Sequence, residues 1–183
     1  MPPDPLAGTA SVLLAHELSF SGDHVAAWEE SKRARELDPN LGTARTFLAF
    51  DRIAVGRLDD ARAIAEENVQ PFPFIGMTTY ILGKTGDTAH ARVIRKKLDE
   101  MPDTSWLVHT MRAIAYLATP DTAKVLSEME EAFARREIVP QAMFFVERMF
   151  DPIRHSARFA AILRKAGLEG RGFSGPTGGR PER

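Results

Sequence analysis

A short turn that returns at nearly fixed intervals constrains this chain more than any other feature. Ser21-Gly22-Asp23-His24 is followed by Val55-Gly56-Arg57-Leu58, Thr85-Gly86-Asp87-Thr88 and Thr119-Pro120-Asp121-Thr122. The steps from Gly22 to Gly56, from Gly56 to Gly86 and from Gly86 to Pro120 are 34, 30 and 34 residues. A second marker keeps step with the first: Ala27, Ala61, Ala91 and Val125 each stand five residues after the turn residue. A small side chain there lets two helices cross closely. Seven residues further on are Ala34, Asn68, Leu98 and Ala132, which belong on the buried stripe of a second helix, with Asn68 as the misfit. A period of this length, with helical patterning on either side of the turn, predicts stacked helix pairs that share one core.

The chemistry of each turn supports that reading. Glycine ends a helix because it adopts positive φ without steric cost. Asp23, Asp87 and Asp121 suit the cap of the next helix, where a side-chain oxygen accepts an orphan backbone N–H. Pro39, Pro71, Pro73 and Pro102 punctuate the joints between pairs, since proline lacks the N–H a helix needs. The pattern predicts helices near 6–20 and 23–37, 42–55 and 58–70, 74–84 and 87–100, then 104–118 and 121–137. A short helix is expected over 142–150, broken at Asp151-Pro152, and a last one over 156–166 ending at Gly167. No strand pattern of any length is present. The expected fold is all-α, a right-handed superhelical solenoid of about four antiparallel helix pairs with C-terminal capping helices, over residues 1–168. From Glu169 the Gly- and Pro-rich composition predicts a disordered tail over 169–183.

Composition narrows the function. The chain has 183 residues and 44% hydrophobic content, enough for one continuous core. It balances 24 Lys+Arg against 25 Asp+Glu, for a net charge of -1. Direct binding to nucleic acid or to an anionic membrane is therefore not expected. The basic runs Arg95-Lys96-Lys97 and Arg135-Arg136 sit among acids on helical patterns and read as solvated faces. There are no cysteines, which excludes disulfides, thiolate nucleophiles and thiolate metal sites. The N-terminal residues carry no signal-peptide pattern and no run is long enough to cross a membrane, so a cytoplasmic protein is expected.

Catalytic and cofactor chemistry are not expected either. His16, His24, His90, His109 and His155 include no pair four apart on one helix, so a His-x-x-x-His metal site is absent and they read as surface or groove histidines. Gly83-Lys84-Thr85 matches only the end of a phosphate loop, because Thr78 stands where the opening glycine belongs. Glu128, Glu130 and Glu131, with Glu29 and Glu30, read as a solvated face. Trp28 and Trp106 read as packing residues.

The pattern resembles the tetratricopeptide repeat over about residues 8–138. The first unit carries Leu14-Ala15, Leu18, Gly22-Asp23, Ala27, Ala34 and Asp38-Pro39-Asn40. The second carries Leu48-Ala49, Gly56, Asp59 and Ala61, but departs at Arg45 and Arg52, where the family usually has large apolar residues. The third has Leu82, Gly86-Asp87 and Ala91 in a unit four residues short. The fourth has Ala113, Tyr116, Asp121 and Ala132, with Pro120 and Val125 as departures. The resemblance implies a non-catalytic scaffold that binds a peptide or partner domain in a concave groove lined by first helices. Lining residues would be Val12, His16, Phe20, Thr46, Phe50, Ile53, Tyr80, Lys84, Thr110 and Ile114, continued by Leu117, with Phe50 and Tyr80 as aromatic anchors; half of the set is expected to pack against neighbouring helices in the core instead. The carboxylate clamp of chaperone-tail binders is not expected, since only Lys84 sits at a comparable place. Self-association through an uncapped apolar first repeat is a further expectation.

The end of the chain, Phe150-Asp151-Pro152-Ile153-Arg154, Arg158-Phe159 and Ile162 to Leu168, resembles the terminus of repeat regions in bacterial regulatory proteins. There the repeats follow an adenylate cyclase, winged-helix or kinase domain. That resemblance implies an alternative function, a regulatory or sensor module of such a protein that answers to a small ligand.

Overall fold

The computed structural model describes residues 6–41, 48–49, 52–53, 55–66, 75–137 and 148–167. Among them every regular element is helical. The helices are α1 (Ala7–Ser21), α2 (His24–Leu37), α3 (Leu58–Glu66), α4 (Ile75–Lys84), α5 (Thr88–Asp99), α6 (Val108–Tyr116), α7 (Thr122–Ala134), α8 (Asp151–Arg154) and α9 (Ala157–Lys165). Leu48, Ala49, Arg52 and Ile53 are helical as well. No described helix is long and apolar enough to cross a membrane. Asn68, Pro71, Pro73, the expected helix over 142–147 and the tail over 169–183 lie outside the described residues.

The turns form as their chemistry dictates. Gly22, Gly56 and Gly86 adopt φ of 85°, 77° and 94°. Asp23 then accepts the Ala26 N–H at 3.1 Å, Asp87 that of His90 at 3.1 Å and Asp121 that of Lys124 at 2.9 Å. Each cap satisfies one donor that the first turn of a helix leaves unpaired. One boundary is corrected. The helix foreseen over 104–118 begins only at Val108, because Leu107 takes the left-handed conformation at φ 59°. A 3-10 turn over Arg148–Phe150 ends where the break at Asp151-Pro152 is expected, and Asp151-Pro152 then opens α8; proline is tolerated in a first turn, where its missing N–H costs nothing.

Packing follows the markers. Helix α1 lies on α2, α4 on α5 and α6 on α7, while α4 also packs against α6. Ala27, Ala34, Ala61, Ala91, Leu98, Val125 and Ala132 are all buried. One core cluster runs from Ala49 to Ile162, and a smaller one joins Val12 to Ala34. Gly76 is the reason α4 and α6 approach so closely: a Cβ there would run into the Met111 backbone. Phe150, Ile153, Phe159 and Ile162 close the far end of the core, with α8 and α9 set against α7. Each such side chain contributes about 1.5–3 kcal/mol on burial.

Candidate functional site

The residues expected to line a groove separate into two sets. Val12, Tyr80, Thr110 and Ile114 are buried, as is Leu117. They hold helices together and present almost no surface, which takes these residues out of the groove and into the half expected in the core. Tyr80 loses its role as an exposed anchor for the same reason. Ile53 is partly buried against the core. His16 is half-buried and Lys84 is exposed, with its Nζ 5.7 Å from the centre of the Tyr80 ring. Thr46, Phe50 and the side chain of Phe20 lie outside the described residues.

The apolar surface is displaced by one step around α1. Leu6, Ala10, Leu13, Leu14 and Glu17 follow one another at spacings of four, three, one and three residues, which places them on a single helical face. All are exposed, with Leu6, Leu13 and Leu14 at 68%, 61% and 47%. The opposite face, through Ser11, Val12 and Ala15, is buried. Helix α1 is thus apolar on both sides but covered on one, whereas a helix apolar all round normally has both sides covered. Its N-terminus has no side-chain cap and no acid in its first turn. The signal was readable in Val12-Leu13-Leu14-Ala15, four successive apolar residues that no single helical face can absorb.

A second feature is polar and internal. His109 Nδ1 lies 2.7 Å from Glu128 Oε2, and Lys124 Nζ lies 2.7 Å from the other oxygen of that carboxylate. The hydrogen bond to Glu128 raises the Lys124 pKa. Both His109 and Glu128 are buried, at 4% and 5% exposure, so neither is the surface group foreseen. Glu137 accepts the backbone N–H of His109 at 3.2 Å and of Thr110 at 2.8 Å, together with the Thr110 hydroxyl. Arg112 donates to the Leu98, Asp99 and Met101 carbonyls and to Asp103, whose carboxyl it holds below the usual range. These bonds join α6 to α7 and to the end of α5. They hold a turn and a helix start in place, and they leave the buried His109 Nε2 without a hydrogen-bond partner. Among the described residues no three potential ligands cluster to hold a metal ion. Trp106, expected in packing, is 58% exposed in the turn before α6.

No protein-family profile, curated protein or solved structure matches this chain.

Proposed function

We propose that the chain is a non-catalytic, tetratricopeptide-like scaffold, and that it binds a partner protein along the outer face of α1. The observation that carries this reading is the uncovered apolar stripe of Leu6, Leu13 and Leu14, held on a helix whose other side is locked into the fold. Monomeric proteins seldom leave such a contiguous stripe open unless something docks there. The occupant this face suits is an amphipathic helix. Its acidic end would meet the uncapped, partially positive N-terminus of α1, and a basic residue would face Glu17. The cysteine-free composition suits a reducing compartment, and we place the scaffold in the cytoplasm.

Leu13→Asp tests this in the full-length chain. The side chain is exposed, so unfolding stability should move by no more than about 0.5 kcal/mol. Affinity for a partner segment with an apolar helical face should fall at least about a hundredfold, as expected when a charge enters the centre of an apolar contact. Unchanged affinity for that segment would refute the assignment of α1 as the docking face.

A further inference from the structure

We infer that the cleft between α4, α5 and the end of α6 is a binding site for a small carboxylic acid with an apolar body. One position of the repeat differs in this pair. Four residues after the small residue of each second helix stand Ser31, Ala65, Arg95 and Met129. Ser31, Ala65 and Met129 are buried and complete the packing of their helix pairs. Arg95 does not do so. Its guanidinium lies 5.0 Å from the centre of the Tyr116 ring, and the side chain is only half-buried. A cavity of about 280 Å³ opens beside it.

The walls explain why the space persists. Gly83, Ala91, Ala115 and Ala118 form an apolar lining of short side chains, none long enough to fill it. The rim is cationic. Arg92 and Arg95 stand one turn apart on α5, and among the described residues neither is in an ion pair. Two arginines that line an apolar hollow, neither held in an ion pair among the described residues, match an acid group on a compact apolar stem. The Thr88 hydroxyl at the same rim offers a further donor. The Asp99 carboxylate, one turn beyond Arg95, accepts from the Tyr116 hydroxyl at 3.0 Å. This site shares no residue with the α1 stripe, and its occupancy does not depend on protein docking there.

The test is an NMR titration of the full-length protein with benzoate, benzamide and inorganic phosphate as separate probes. Benzoate should shift the backbone amides of Ala91, Ala115 and Ala118 saturably. Benzamide, which has the same ring without the charge, should bind at least about tenfold more weakly, since hydrogen bonds to a charged acceptor are the strong ones. Phosphate alone should leave those three amides unmoved. Arg95→Met places on α5 the side chain that α7 carries at the equivalent position. It should remove benzoate binding while the unfolding midpoint stays level or rises, and Arg92→Gln should weaken binding with the fold unchanged. Equal binding of benzoate and benzamide, or saturable phosphate binding as tight as that of benzoate, would overturn the inference. So would an Arg95→Met protein that binds benzoate as the parent does.

Discussion

The guanidinium of Arg52 lies 3.2 Å from the centre of the Trp28 ring, the closest cation–ring approach among the described residues. Arg52 occupies a buried position that the repeat pattern assigns to an apolar side chain. The stack accounts for its presence there, because a guanidinium is planar, weakly hydrated and able to lie flat on an indole. Lys32 approaches the same ring from 5.6 Å on the α2 side. A double-mutant cycle on Arg52→Ala and Trp28→Ala, read by denaturant unfolding, should give a coupling energy of about 1–2 kcal/mol. Strict additivity would show that the stack contributes nothing.

Glu137 is 27 residues from Thr110, yet its carboxylate serves the start of α6 as a cap side chain would. It is needed because Leu107, at the cap position, makes no side-chain cap bond. Glu137→Ala should therefore lower stability by about 1–2 kcal/mol, in the range of a lost helix cap. The faster hydrogen exchange should be confined to the first turn of α6. Uniform loss of protection across the molecule would contradict this local role.

Helix glycines usually gain about 1 kcal/mol on replacement by alanine. Gly76 should do the reverse. A Cβ there meets the Met111 backbone, which belongs to a buried helix and has no room to retreat. Gly76→Ala should destabilise by about 1–3 kcal/mol, as overpacking does. A stabilised variant would show that α4 and α6 are further apart than the structure places them.

Arg158 grips Glu130 with two hydrogen bonds, of 3.0 Å and 2.7 Å, and fixes α9 on α7. That guanidinium holds the Glu130 carboxyl below the usual glutamate range. A carboxyl lowered in the folded state adds stability that is present above its unfolded value. That stability is lost as the pH falls through the lower folded value. Glu130→Gln should therefore be less stable than the parent at neutral pH, and the two should converge as acid protonates the carboxyl. The gap should also narrow with added salt, because the pair is exposed. A gap that persists unchanged at low pH would exclude the ion pair as its source.

Local rules were legible where one residue type answers one backbone need. The positive-φ glycines, the aspartate caps and the buried small residues at Ala27, Ala61, Ala91 and Val125 all follow from such needs. The face that remains open was not legible in the same way. Val12 and Leu13 are equally apolar, and only the angle at which α1 rests on α2 decides which is buried. Nor was the interior of the last pair. His109 and Glu128 are 19 residues apart, and each alone looks like a surface group. Only the packing of α6 on α7 brings them together and makes their burial tolerable. Arg95 is the converse case, a basic residue in a run that reads as a solvated face but whose side chain lines a cavity.

The claim that α1 carries the protein-binding face is tested most directly by site-specific photo-cross-linking in the full-length chain. A photoreactive residue replaces Leu13 in one protein and the exposed Lys97 in another, and both are expressed in the native host. Leu13 should yield a discrete product whose cross-linked segment is an amphipathic helix. That helix would belong to a partner protein, and the product would be absent from the Lys97 protein. Equal, diffuse labelling from both positions, or links from Leu13 confined to its own chain, would contradict it.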